Sequence, residues 1–196
     1  MKVHVVHGIL DPVGSAGLLK LVPYLQQAGF DCRVPDYGLI TAVETRIANP
    51  IIRRTLQPYI EPGDVYIGHS NGCAIGYQLV WSGINLAGAV YINAALQRDI
   101  TLPAPMWADV YFNQGDDATV AAKLAAAIGL VDSVWGEMGH AGYSGGEHRI
   151  ANVDCGNPPD GLPAVSGHSD IFTAGKIEQW APYIVARIKL HLAATK

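Results

Sequence analysis

The stretch from residue 64 to residue 80 constrains the fold of this chain more than any other part of the sequence. Residues 65–67 are β-branched and aromatic and predict a buried strand, whereas residues 73–80 carry apolar side chains at helical spacing. Between them lies Gly-His-Ser-Asn-Gly, with Ser70 at its centre. A serine in such a strand, turn and helix has a strained backbone, and its hydroxyl stands clear of the sheet beside the free amides of the helix. Ser70 is therefore the candidate nucleophile.

A second Gly-x-Ser-x-Gly pattern surrounds Ser144. It follows a glycine-broken run and leads into the polar residues Glu147, His148 and Arg149, so neither a strand nor a helix flanks it correctly. Because the pattern has catalytic meaning only between a strand and a helix, Ser144 is not the predicted nucleophile.

Strand and helix patterns alternate along the rest of the chain. Strands are predicted at 3–6, 30–35, 65–67, 87–92, 110–112 and 148–153, and helices at 18–28, 41–60, 73–80, 118–128 and 176–192. Pro50 marks a break or a new start inside the second helical region, and residues 133–135 could add a strand. Such alternation predicts an α/β fold in which helices cover both faces of a mostly parallel sheet. At this length, residues 1–196 are expected to form one domain.

Composition excludes several classes of function. The net charge is −4 and no basic stretch is concentrated, which argues against nucleic-acid binding and against an anionic membrane surface. The three cysteines and seven histidines show no metal-ligand spacing, so neither a metal nor a cofactor is expected. We find no signal peptide or apolar run that could span a bilayer, and we therefore expect a cytoplasmic protein.

A serine nucleophile requires a base and an acid, which in open parallel sheets lie beyond the carboxyl ends of strands. The strand at 110–112 leads into Asp116 and Asp117, of which one could orient the histidine and the other could cap the next helix. We favour Asp117 as the acid and keep Asp116 as the alternative, with Asp154 a weaker candidate.

His168 is the predicted base. It lies in Ser-Gly-His-Ser-Asp, after the last predicted strand and before the final helix. A histidine in a glycine-flanked loop is often only solvent-exposed, but this position is the one that the chemistry requires. His140 and His148 are the rivals, and both lie before the last strand or at its start.

Backbone amides can stabilise the negative charge of a tetrahedral intermediate. The N–H of Asn71, directly after the nucleophile, is one predicted donor. The N–H of Ile9 is the second, because Gly8 lets the loop after the first strand approach closely.

Together these residues resemble the α/β-hydrolase superfamily. His7-Gly8-Ile9 is similar to its oxyanion loop, and Ser70, Asp117 and His168 follow its order of serine, acid and histidine. The resemblance covers nearly the whole chain and implies a three-layer α/β/α sandwich, reduced to about six strands and without a lid domain. Residues 93–108 are too short for a lid, so the site should be open. Trp135, Met138 and Tyr143 either line its pocket or belong to the core.

The function that these residues imply is hydrolysis of carboxylic esters through a Ser-His-Asp triad and an acyl-enzyme, with a small-molecule ester as substrate. An open site favours short-chain or accessible acyl groups. Thioesterase and amidase activities use the same triad, and a non-catalytic binding or assembly protein of this fold is a further alternative. The sequence does not predict the oligomeric state.

Overall fold

The fold was analysed in a computed structural model that describes residues 1–9 and 17–194. In this part of the chain six strands form one sheet, in the order β2-β1-β3-β4-β5-β6, and every neighbouring pair is parallel. The strands are β1 (Lys2–Val6), β2 (Asp31–Arg33), β3 (Val65–His69), β4 (Gly88–Ile92), β5 (Trp107–Phe112) and β6 (Ile150–Asp154).

Helices cover both faces of this sheet. They are α1 (Val22–Gln27), α2 (Thr45–Leu56), α3 (Asn71–Trp81), α4 (Asp117–Ala127), α5 (Met138–Ala141) and α6 (Ile177–Ala194). Side chains of α2, α3, α4 and α5 belong to the core on one face, and side chains of α6 belong to the core on the other. The predicted three-layer α/β/α sandwich with a parallel sheet of about six strands is therefore confirmed.

The register of the central strands places apolar side chains side by side. Val5 of β1 pairs with Ile67 of β3, which pairs in turn with Val90 of β4, and all three are fully buried. Strands covered on both faces consist of nearly continuous apolar residues, as they do here. Because all six strands are parallel, their carboxyl ends lie at one edge of the sheet, and the residues that follow β3, β4 and β5 are brought together there.

The second helical region differs from the sequence prediction. Pro50 lies inside α2 and neither breaks it nor starts a new helix. Proline cannot donate a backbone hydrogen bond, so the helix loses one bond there. Packing offsets this loss, since one face of α2 is buried (Thr45, Asn49, Ile52 and Leu56).

Two other predicted elements also differ. The strand predicted at 30–35 is shortened to β2, and residues 133–135 lie in a turn and the segment after it rather than in a strand. Residues 93–106, between β4 and β5, contain no helix, in agreement with the expected lack of a lid at this point. None of the described helices is both long enough and apolar enough to cross a bilayer.

Candidate active site

Ser70 occupies a tight turn between β3 and α3. Its backbone has φ 55° and ψ −123°, a conformation that a residue with a side chain adopts only under strain. The flanking glycines make the turn possible, because a Cβ on Gly72 would lie 2.2 Å from the carbonyl oxygen of Val6. A Cβ on Gly68 would lie 2.8 Å from the backbone nitrogen of Cys73. The sequence folds this way locally because only glycine fits on both sides of the serine.

The loop after β1 passes directly beside the serine. A Cβ on Gly8 would lie 2.9 Å from Cβ of Ser70 and 3.4 Å from its Oγ. The hydroxyl of Tyr37 donates to the carbonyl oxygen of His7, and the His7 ring stacks on the Tyr37 ring. These contacts hold the start of the loop against the turn, and Ile9 lines the same cavity as Ser70.

His168 reaches this cavity from the loop before α6. Its Nδ1 lies 2.8 Å from Oδ1 and 3.0 Å from Oδ2 of Asp116. A carboxylate accepts, so Nδ1 carries the proton and Nε2 is the nitrogen that can accept one. The structure thus places the predicted base on the cavity wall that also contains Ser70, and bonds it to one of the two candidate acids.

The acid that contacts His168 is Asp116 and not the favoured Asp117. Asp116 is fully buried, whereas Asp117 is exposed in the first turn of α4. Asp116 also caps α4, since its Oδ1 accepts from the backbone N–H of Thr119 at 3.2 Å. The cap and the histidine contact were predicted for two different aspartates, but one carboxylate has enough acceptor sites for both.

Two buried asparagines that the sequence analysis did not identify fasten the loop that carries His168. The side-chain amide of Asn93 donates to the carbonyl oxygens of Gly167 and His168, at 3.2 and 2.5 Å. Asn113 donates to the carbonyl oxygen of Gly167 at 3.1 Å and accepts from its N–H at 2.8 Å. Asn93 follows β4 and Asn113 follows β5. The carboxyl edge of the sheet therefore fixes the position of the loop that carries His168. Each asparagine directly follows a predicted strand, and this position is the sequence signal that could have identified them as site residues.

His69 supports the same loop from β3. Its Nε2 donates to the carbonyl oxygen of His168 at 2.9 Å. Burial, and secondarily the neighbouring His168, lower the pKa of His69 from 6.5 to about 3. His69 therefore remains neutral over the range in which an ordinary histidine titrates.

This neutral histidine predicts a specific loss of stability in acid. Between about pH 6.5 and pH 3 the unfolded chain binds a proton at His69 that the folded chain does not, so the free energy of unfolding falls as the pH falls. We expect His69→Gln, which keeps an N–H donor but does not titrate, to remove up to about 1.4 kcal/mol per pH unit of this slope. Urea unfolding at several pH values measures it. Equal slopes for wild type and His69→Gln would contradict the prediction.

A second polar network holds Asn71, the residue after Ser70. Its side-chain oxygen accepts from Asn49 and from the indole N–H of Trp135, both at 2.9 Å. Asn49 also donates to Asp132 at 3.0 Å, and Gln78 donates to the same carboxylate oxygen at 2.6 Å. The network joins α2, α3 and the segment before α5, so the side chain of Asn71 is held by α2 on one side and by Trp135 on the other. No pattern in the sequence indicates these contacts.

The cavity beside Ser70 has a volume of about 540 Å³, within the range of small-molecule sites. Its walls include Trp135, whereas Met138 and Tyr143 belong to the core and do not line it. A larger cavity of about 760 Å³ lies between β1, the segment after β2 and α2, and neither Ser70 nor His168 lines it.

The rival residues lie elsewhere. Ser144 and His148 are exposed, and neither lines the cavity. The side chain of Asp154 accepts from the backbone amides of Gly156 and Asn157 in a turn after β6. His140 is in α5, where its buried Nδ1 has no hydrogen-bond partner among the described residues. Residues 1–9 and 17–194 contain no group of three or more side chains that could hold a metal ion.

Several solved structures share this fold at low sequence identity. A Xanthomonas campestris protein of the alpha/beta hydrolase superfamily aligns with a TM-score of 0.57 and 15% identity, over 96% of this chain and 98% of that chain. An extracellular alpha/beta-hydrolase from a Paenibacillus species gives 0.52 and 13%, over 95% and 98%. Aspergillus fumigatus lipase B gives 0.53 and 12%, over 87% of this chain and 48% of that chain. No protein-family model matches the sequence, and neither does any curated protein.

Proposed function

We propose that this protein, whose fold is that of the α/β-hydrolase superfamily, is a serine hydrolase that cleaves carboxylic esters. The observation that supports this most is the wall shared by Ser70 and His168, with His168 bonded to the buried carboxylate of Asp116. A serine hydroxyl is a poor nucleophile at neutral pH, and this arrangement supplies what it lacks.

In the proposed reaction, Oγ of Ser70 attacks the ester carbonyl while Nε2 of His168 accepts its proton. Asp116 stabilises the imidazolium that forms and keeps the proton of Nδ1 in place. The backbone N–H groups of Asn71 and Ile9 receive the oxyanion. His168 then gives its proton to the leaving alcohol, and an acyl-enzyme remains on Ser70.

Deacylation repeats these roles with water as the nucleophile. His168 accepts a proton from the water, which attacks the acyl carbonyl, and the tetrahedral intermediate collapses to the acid and the hydroxyl of Ser70. A cavity of about 540 Å³ accommodates a small ester, so short-chain or accessible acyl groups are the proposed substrates.

Covalent labelling tests the nucleophile directly. We expect a fluorophosphonate probe to modify the intact protein once, and peptide mass spectrometry to place the label on Ser70. The matched control is Ser144→Ala, which alters the other Gly-x-Ser-x-Gly serine and should leave labelling unchanged. Label on Ser144, or on neither serine, would contradict the assignment.

Hydrolysis then identifies the reaction. We expect p-nitrophenyl acetate and butyrate to be cleaved faster than longer homologues, and p-nitrophenyl butyrate faster than a butyryl thioester or a butyryl anilide. A preference for the thioester or the anilide would replace the esterase proposal by a thioesterase or an amidase. Absence of both labelling and hydrolysis would favour a non-catalytic binding or assembly protein.

A further inference from the structure

Most residues that line the cavity beside Ser70 have small, apolar or hydroxyl side chains. The apolar lining residues are Ile9, Ala95, Ala118, Ala122, Trp135 and Phe172. Lys20, whose side chain is exposed, lines the same cavity with its ammonium group, and none of the described lining residues carries a carboxylate. A lysine in such surroundings is the natural partner of an anionic group on the substrate.

The position of Lys20 is fixed by contacts far along the chain. It belongs to a short 3-10 helix, Gly17–Leu21, which is anchored by the buried side chains of Leu18 and Leu21. Its Nζ donates to the carbonyl oxygen of Phe172 at 2.9 Å. Gly17 packs so closely on Phe172 that a Cβ there would lie 2.9 Å from Cβ of Phe172. An ammonium has three N–H bonds, and the contact with Phe172 uses one of them.

Two carboxylates near lining residues in the sequence are engaged by other groups. Asp116 is bonded to His168, and Asp170 forms an ion pair with Lys176. Within the described residues Lys20 makes no ion pair with a carboxylate.

We propose that the substrate is an ester that carries a carboxylate, and that Lys20 binds this carboxylate while Ser70 attacks the ester carbonyl. The inference rests on the proposed esterase function and adds the chemical class of its substrate. Lys20 acts in binding and orientation, and it takes part in no proton transfer.

Two pairs of substrates measure the preference for charge. Mono-p-nitrophenyl adipate has its carboxylate in the acyl part, and methyl p-nitrophenyl adipate is its neutral partner. Butyrate esters of p-hydroxybenzoate and of its methyl ester place the same difference in the leaving group. In each pair the charge preference is kcat/KM of the anionic ester divided by kcat/KM of the neutral one, compared between wild type and variants.

The variants separate the charge of Lys20 from its hydrogen bond. Lys20→Gln keeps an N–H donor for the carbonyl of Phe172 but removes the positive charge. We expect it to reduce the charge preference in one of the two substrate pairs by about five- to tenfold, mainly by raising KM for the anionic ester. Lys20→Arg should restore the preference, and Lys20→Glu should lower it further. Lys189→Gln, at an exposed lysine of α6 that does not line the cavity, is the control of equal charge change.

The possible results test the carboxylate site and the esterase function separately. A charge preference that falls in Lys20→Gln, returns in Lys20→Arg and is unchanged in Lys189→Gln supports the proposal. If every variant cleaves the neutral esters and the charge preference is unchanged in both pairs, the carboxylate site is overturned and the proposed esterase function stands. If wild type cleaves none of the four esters, the proposed function fails and the inference fails with it.

Discussion

Ser70→Ala is expected to lower kcat for p-nitrophenyl butyrate by roughly 10⁴- to 10⁶-fold, because the nucleophile and base of such a triad act as one unit. The fold should survive, since alanine keeps the backbone of the turn and removes only a hydroxyl at the cavity wall. Steady-state kinetics and circular dichroism of the same preparation measure both effects. Ser144→Ala should retain wild-type kcat, and near-normal activity of Ser70→Ala would exclude Ser70 as the nucleophile.

The backbone strain at Ser70 predicts a difference in stability between two substitutions at this position. A non-glycine residue at φ 55° and ψ −123° costs about 1–3 kcal/mol, and alanine retains this cost whereas glycine does not. Ser70→Gly should therefore be as inactive as Ser70→Ala but more stable by about 1 kcal/mol. Equal stabilities would mean that the turn is not strained in solution.

Much of the fold follows from local patterns that can be seen in the sequence. Apolar strands alternating with amphipathic helices predict the parallel sheet, and Gly68 and Gly72 around Ser70 predict the turn, because both depend on neighbouring residues only. The uninterrupted helix through Pro50 did not follow, since its stability comes from a buried face that packs against distant parts of the chain.

The partners that the supporting residues of the site contact could not be predicted, for the same physical reason. An asparagine in a sequence is equally compatible with a turn, a cap or an exposed surface. Asn49 contacts Asn71 and Asp132, which are 22 and 83 residues away, and Asn113 contacts Gly167, which is 54 residues away. Such pairings depend on the register and twist of the sheet, which local sequence patterns do not determine.

Local sequence patterns do not distinguish the roles of Asp116 and Asp117. Both follow β5, both lie at the start of α4, and both have the same side chain. They differ in the direction in which the backbone at the start of α4 points each side chain. Asp116, at the cap, points into the protein towards His168, and Asp117, one residue later, points to solvent.

Asp116→Asn is expected to lower kcat by about 10⁴-fold, whereas Asp117→Asn should change it less than about threefold. Asparagine caps helices nearly as well as aspartate, so the loss isolates the contact with His168 from the cap of α4. An amide in place of the carboxylate can donate to Nδ1, which would leave the proton on Nε2, where it blocks acceptance of the serine proton.

Kinetics and thermal unfolding of both variants separate these roles. Unfolding temperatures of Asp116→Asn and Asp117→Asn within a few degrees of wild type would show that the cap persists, so that any difference in kcat reports the histidine contact. A large loss in Asp117→Asn with little change in Asp116→Asn would exchange the two aspartates. Equal and small losses in both would mean that neither carboxylate supports His168, and the triad would then lack its acid.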